Sequence, residues 1–386
     1  MKSLLISSTY FPPRKGGISH FMAGLASALG PDRVCCLTGV LANDGAVDDG
    51  LQPRVYRRPT AFAKSKWLRA FGWGTSIAQI ILREHVKVVQ VASVGEISLG
   101  LWLRRWFNIP FVVYAYGNDI LHAMRSQSPQ PRLALQRAGR VLAISQFTAN
   151  LVERAGVDPA RIEIVFPGCD TDRFQPRQPR MELRQRLLGP RYKGRVILTI
   201  GGLVARKGQD MVIRALPRLR ESIPEVNYLI VGDGPYRPQL ESLAEAMGVQ
   251  DHVIFAGQVP TEELPDVYAL SDVFVMPSRE RLEVDDVEGF GIVFLEASAC
   301  AKPVIGGRSG GIPEAIVDGV TGLLVDAHDP EDIGNALARL LTDRDLAIRL
   351  GQQGRLRVVH DFDWARVADQ VEGILNSVLS GRSTGN

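Results

Sequence analysis

The sequence predicts an α/β chain of two doubly wound, Rossmann-like domains facing a cleft. Three observations carry that expectation. Short, nearly continuous apolar runs end in small or polar residues and alternate with helical patterns, as in parallel sheets covered on both faces. Glycine-rich turns follow such runs in both halves, as at Gly16-Gly17 and Gly201-Gly202. The length, 386 residues, gives two domains or three at roughly 100–200 residues each.

In the first half, strands are expected at Ser3–Ser7, Arg33–Leu37, Val88–Ser93, Phe111–Tyr116, Val141–Ser145 and Ile162–Phe166. After the first of them, Ile18, Phe21, Met22, Leu25 and Leu29 recur at helical spacing, and Gly30 is placed to cap the helix. In the second half, strands are expected at Val196–Gly201, Tyr228–Gly232, Val253–Ala256, Val273–Met276, Pro303–Gly306 and Gly322–Val325. The polar stretch Asp170–Arg195, with three prolines before Lys193, reads as the linker between domains 1–180 and 190–363. Helical spacing returns from Trp364 to Leu379.

Composition narrows the classes. With 45% hydrophobic and 23% charged residues, the chain as a whole is globular rather than disordered. No apolar run approaches the roughly 20 residues that span a bilayer, and Met1–Ser8 reads as a first strand, not a signal peptide. Cys35 and Cys36 are adjacent while Cys169 and Cys300 stand far apart, which points to a reducing, cytoplasmic setting. The net charge of +3 hides an asymmetry. Residues 1–174 carry 21 Lys and Arg against 12 Asp and Glu, and the remainder 24 against 30. A basic half joined to an acidic one meets different partners.

Ligands of doubly wound sheets bind beyond the carboxyl ends of the strands, so the residues after each strand matter most. Gly16-Gly17 at a helix start exposes backbone amides that attract phosphate. Ile200-Gly201-Gly202 followed by Arg206-Lys207-Gly208 repeats the device with two cations, which suits a diphosphate. Val231-Gly232-Asp233-Gly234-Pro235 lacks the third glycine of a dinucleotide fingerprint, with Arg237 and Pro238 where it would fall. The fullest segment runs from Pro277 to Glu314. It holds Glu288-Gly289-Phe290-Gly291, an apolar run ending at Glu296, and Ser309-Gly310-Gly311-Ile312-Pro313-Glu314. A helix starting near Gly289 would rise about 10 Å to Glu296, on the order of the sugar-to-ribose distance in a nucleotide-sugar. One carboxylate would then accept from hexose hydroxyls and the other from ribose hydroxyls.

Metal and nucleophile chemistry find little support. The six histidines include no His-x-x-x-His pair, and no serine or cysteine sits in an activated arrangement. Glu283, Asp285 and Asp286 read as a solvated acidic loop beside the donor site.

Taken together with Pro167-Gly168-Cys169-Asp170, these motifs span nearly the whole chain, and it resembles a family 4 glycosyltransferase of the two-Rossmann-domain glycosyltransferase-B type. Asp286-Val287-Glu288-Gly289-Phe290-Gly291-Ile292-Val293 is similar to bacterial mannosyltransferases acting on phosphatidylinositol mannosides. The resemblance implies retention of configuration, no metal or other cofactor, and a nucleotide-sugar donor held mostly by the second domain. GDP-mannose is the expected donor and a lipid-linked or glycan acceptor the expected recipient. A UDP-sugar-dependent relative, or a degenerate, non-catalytic membrane-associated homologue, are the alternatives.

By the same resemblance, Glu288, Arg206 and Lys207 are the catalytic candidates, with the two cations on the diphosphate. Gly16, Gly17, Gly202, Gly289, Phe290, Gly291 and Glu296 are the donor-binding ones. The family often has an arginine where this chain has Gly202, and a histidine near the sugar where it has Tyr116. Tyr116, Asn118 and Asp119 are therefore the candidate sugar or acceptor contacts. The last helix, 364–386, is expected to cross back to the first domain.

Arg57–Trp73 and Leu101-Trp102-Leu103-Arg104-Arg105-Trp106-Phe107 mix cations with large apolar rings. Such stretches suit an anionic membrane interface and place the chain at the inner face of the cell membrane. Base stacking could use the same composition, but no nucleic-acid motif accompanies it.

Overall fold

The computed structural model describes residues 1–14, 16–40, 53–58, 66–126, 129–191 and 193–380. Two compact units divide the chain: Met1–Gly168 together with the stretch from Trp364 onward, and Cys169–Asp363.

The first unit is built on a parallel sheet of β1 (Ser3–Ser7), β2 (Val34–Gly39), β3 (Val55–Arg58), β4 (Val88–Val91), β5 (Phe111–Ala115), β6 (Arg140–Ala143) and β7 (Ile162–Ile164). Its order is β3-β2-β1-β4-β5-β6-β7, with Ser3 opposite both Val34 and Val88. β1 is buried along its whole length, as a central strand covered on both faces must be. The helix Gly17–Leu29 buries Phe21, Met22, Leu25, Ala26 and Leu29. Truncating one such leucine to alanine costs about 2–5 kcal/mol. The helix Trp364–Ser380 packs on it, with the Phe21 and Trp364 rings 5.8 Å apart. Residues 381–386 of the expected last helix lie outside the described residues.

The second unit carries β8 (Arg195–Ile200), β9 (Val226–Val231), β10 (Val253–Gly257), β11 (Val273–Met276), β12 (Val304–Gly307) and β13 (Leu323–Val325). All pair in parallel, in the order β10-β9-β8-β11-β12-β13. Counted from its own first strand this is the 3-2-1-4-5-6 order of a dinucleotide-binding fold. Ile197, Val212, Leu216, Tyr228 and Val275 lie in its core.

Two expectations need correction. β3 was not anticipated, because Tyr56-Arg57-Arg58 is too polar to read as a buried strand. It lies at the edge, half-buried throughout. Asp170–Arg195 is not a bare linker but belongs to the second unit and contains the helix Met181–Leu188. Its polarity is cationic side chains with partners in that unit: Arg177 and Arg180 both pair with Asp266, at 3.4 and 3.2 Å. Sequence polarity does not distinguish a solvated charge from a paired one.

The aromatic-cationic stretch Arg57–Trp73 does not lie open at its described ends. Arg57 donates to the Gly39 and Pro12 carbonyls, Arg58 donates to the Ser76 hydroxyl, and Trp73 is buried. Residues 59–65 and the side chains of 66–72 lie outside the described residues. Among the described residues, no helix is long and apolar enough to cross a membrane. All four cysteines are buried thiols.

Candidate active site

In the second sheet the strand order reverses between β8 and β11. Loops leaving these strands diverge there and open a crevice at the carboxyl ends. β8 ends at Ile200, and the chain runs through Gly201-Gly202 into a 3-10 turn, Ala205–Lys207. The Arg206 carbonyl accepts from the Arg279 N–H at 2.8 Å, which ties that turn to the loop after β11. Gly208 has φ +75°, and a Cβ there would stand 2.1 Å from the Pro277 carbonyl oxygen. Only glycine allows that approach. Buried Arg279 is gripped by both Asp210 oxygens, at 2.9 and 3.1 Å.

Glu288 enters from the loop after β11. Its Oε2 lies 2.5 Å from Lys207 Nζ and 3.5 Å from Arg206 Nη1, while Arg206 Nε lies 2.8 Å from Asp286 Oδ1. Burial pushes the Glu288 carboxyl up, but the Lys207 and Arg206 charges outweigh it and hold it below its ordinary value. Burial also lowers Lys207, against the pull of Glu288. Behind Glu288, the Gly311 N–H donates to its carbonyl at 3.0 Å, and the Gly310 N–H donates to Glu280 at 2.8 Å. Gly310 has φ +57°, and a Cβ there would stand 2.3 Å from the Glu288 carbonyl oxygen. The loop Ser309–Glu314 thus fixes Glu288 from its backbone side.

The following helix starts at Ile292, not near Gly289. Phe290 is anchored with its ring 1% exposed and 5.8 Å from the Phe362 ring, and Gly291 at φ +93° breaks the helical path. From Ile292 to Glu296 the helix therefore rises about 6 Å rather than 10. The Phe290 ring is core, so a ligand can meet this residue only at its backbone. Glu296 accepts from the Tyr268 hydroxyl at 2.7 Å. Burial pushes its carboxyl up to about 7, against that hydrogen bond and the nearby charge of Arg173.

The structure brings Arg206, Lys207 and Glu288 into ion-pair contact, with Gly202 and Gly289–Gly291 on the same two loops. Gly16, Gly17, Tyr116, Asn118 and Asp119 belong to the first unit. There Gly16 and Gly17 are exposed at a helix start that no side chain caps, with open space over Gly16. Asn118 and Asp119 open the helix Asn118–Arg125, and Asp119 accepts from the Tyr116 N–H at 2.9 Å.

Sequence reasoning missed Asp286, read as part of a solvated loop. It stands two residues before Glu288, both carboxylates reach Arg206, and that spacing was the available signal. Tyr268 and Glu280 carried no local signal. Among the described residues, no three His, Cys, Asp or Glu side chains gather so as to hold a metal ion.

Residues 15–173 match the model for glycosyltransferase family 4, and residues 183–357 that for glycosyl transferases group 1. The chain is 36% identical to the GDP-mannose-dependent alpha-(1-6)-phosphatidylinositol monomannoside mannosyltransferase of Mycolicibacterium smegmatis, over 96% of this chain and 98% of that one. It is 28% identical to the Corynebacterium glutamicum enzyme named for a monoacylated form of the same acceptor, over 97% and 98%. In fold it is similar to Anabaena HepE in complex with UDP and glucose, with TM-score 0.82, 21% identity, and 98% and 100% of the chains covered.

Proposed function

We propose that this chain, which belongs to glycosyltransferase family 4 and is a glycosyltransferase, moves mannose from GDP-mannose to a phosphatidylinositol mannoside with retention of configuration. One observation carries the reading: Arg206 and Lys207 are held together against Glu288 at the switch point of the second sheet. Relatives named for GDP-mannose and phosphatidylinositol monomannoside, similar along nearly the full length, support the choice of substrates.

The geometry supplies a division of labour. A diphosphate brings two negative charges and competes with the Glu288 and Asp286 carboxylates for the two cations. Lys207 offers a point charge and Arg206 a planar fork. Glu288, released from Lys207, then accepts hydrogen bonds from hydroxyls of the donor sugar. As the bond to the anomeric carbon breaks, charge grows on the leaving phosphate, and Lys207, Arg206 and the amides before Ile292 stabilise it. Glu296, on the same helix, is placed to accept from the ribose. In this reading the acceptor hydroxyl loses its proton to the departing phosphate, so the reaction needs no pair of carboxylates as acid and base.

The acceptor is a membrane lipid in this reading, and a peripheral contact follows. Trp106 is 71% exposed at the end of the helix Ile97–Phe107, beside Arg105 and with Phe107 also exposed. A ring that inserts and cations that meet anionic head groups suit such a contact.

The deciding experiment incubates the purified chain with GDP-[14C]mannose and phosphatidylinositol monomannoside in vesicles. Transfer of label to lipid, absent with UDP-glucose or UDP-mannose, supports the reading. Transfer only from a UDP-sugar, or none from any donor with Lys207→Ala equal to wild type in GDP binding, overturns it.

A further inference from the structure

Tyr268 lies in the helix Leu264–Leu270, which leads into β11, and Glu296 in the helix Ile292–Ala299, which follows the loop of Glu288. The Tyr268 ring is fully buried, edge-on to Phe174 at 5.9 Å and tilted against Phe274 at 5.8 Å. Phe274 in turn meets Phe294, two residues before Glu296, edge-on at 5.6 Å. That packing leaves the ring no room to swing. The Tyr268 hydroxyl lies 2.7 Å from Glu296 Oε2 and 3.3 Å from the Val293 carbonyl, so its proton goes to the carboxylate. Among the described residues, no protein group donates to Glu296 Oε1, and this residue is half-buried rather than sealed. Arg173 donates to the Thr261 carbonyl and lies over the Phe174 ring at 4.9 Å, so it reaches Glu296 only as a charge.

The helix around Glu296 is otherwise apolar or small, from Ile292-Val293-Phe294-Leu295 to Ala297-Ser298-Ala299. A carboxylate there costs desolvation that an alanine or leucine would avoid, and burial accordingly pushes it up to about 7. The Tyr268 hydrogen bond works against that shift and favours the ionised form, the better acceptor. Freezing a loose glutamate when a ligand arrives weakens binding, and a hydrogen bond already made in the fold removes that penalty. We propose that Tyr268 is a positioning residue for the donor: its hydroxyl fixes Glu296 Oε2 and so presents Oε1 to a ribose hydroxyl. This role rests on Glu296 meeting the ribose, as in the function proposed above. Tyr268 does not touch the nucleotide; it sets how strongly the site distinguishes a ribonucleotide from one lacking those hydroxyls.

The test uses the full chain and Tyr268→Phe, which removes the hydroxyl and keeps the ring between Phe174 and Phe274. Calorimetry compares GDP with 2′,3′-dideoxy-GDP, which lacks both ribose hydroxyls. Wild type should bind GDP at least about tenfold more tightly, because a site built for a hydroxyl rejects the analogue without it. In Tyr268→Phe that ratio should fall to about threefold or less, through weaker GDP binding with the dideoxy form unchanged. A ratio equal to that of wild type overturns the proposal. So does an equal loss for both nucleotides, which is what a merely structural role gives. In turnover, KM for GDP-mannose should rise about fivefold with kcat held within about twofold, the sign of lost uniform binding. A lower kcat at unchanged KM also overturns it. Should Tyr268→Phe not fold, Glu296→Ala and Tyr268→Phe/Glu296→Ala decide the matter, since a residue acting through Glu296 adds nothing once Glu296 is gone. Equal GDP affinity in those two supports the role, and a further loss in the double variant overturns it. If wild type binds GDP and its dideoxy form equally, the role falls together with the placing of Glu296 on the ribose. If wild type binds UDP and not GDP, the donor of the functional reading is wrong, and the same ratio is read with UDP and 2′,3′-dideoxy-UDP.

Discussion

The Lys207 ammonium and the Glu288 carboxylate, 81 residues apart in sequence, meet at 2.5 Å with each side chain 12% exposed. Neither charge would be tolerated there alone, because burial opposes both ionised forms. The ion pair thus holds two opposite charges in the crevice, which in the proposed reaction a diphosphate and a sugar would redeploy.

Removing Lys207 takes away the nearer of the two cations beside Glu288 and leaves it with Arg206 at 3.5 Å. Lys207→Ala is expected to destabilise the chain by about 1–3 kcal/mol, less than the cost of a fully unpaired buried charge. Transfer should fall at least 100-fold through loss of leaving-group stabilisation. The double variant Lys207→Ala/Glu288→Ala should recover part of the stability and none of the activity. Urea unfolding of the single and double variants measures the coupling; strictly additive losses would refute it.

Gly310→Ala tests the backing of Glu288. The added Cβ meets the Glu288 carbonyl oxygen in a left-handed turn, which costs on the order of 1–3 kcal/mol. Because the strain bears directly on Glu288, kcat/KM should fall at least tenfold in protein that is still folded. Melting curves and turnover on the same preparation separate the two effects.

Burial pushes the Glu296 carboxyl up to about 7 in the folded chain, from an ordinary 4.5. The folded state therefore holds a proton that the unfolded state releases between those values. This group's contribution to stability is fully present below 4.5, declines as pH rises, and is gone above about 7. Glu296→Gln should thus become more stable relative to wild type as pH goes from 4.5 to 8. Parallel melting-temperature profiles for the two proteins would contradict this.

Trp106 and Arg105 govern the proposed membrane contact and stand on an exposed helix end in the first unit. Trp106→Ser/Arg105→Ser should reduce co-sedimentation with phosphatidylglycerol vesicles about tenfold while leaving GDP binding unchanged. Equal sedimentation of variant and wild type would remove this helix from the interface.

Local patterns made much of this molecule legible. Strand runs such as Val273–Met276 show themselves because burial on both faces demands unbroken apolar residues. Gly30 shows itself because a helix end needs a left-handed residue. Arg206, Lys207 and Glu288 were legible as types beside glycine turns. The start of the helix before Glu296 was not, since burial of the Phe290 ring and the backbone of Gly291 decide it.

By itself, then, the sequence determined two parallel α/β units and the loops that carry chemistry, because periodicity and turn preference act over a few residues. Only the tertiary structure decided which charges meet: Arg206 with Asp286, Tyr268 with Glu296, Ser8 with Glu96. Those pairs join residues 28 to 88 positions apart. Strand order and crossovers bring them together, and no local spacing records that order.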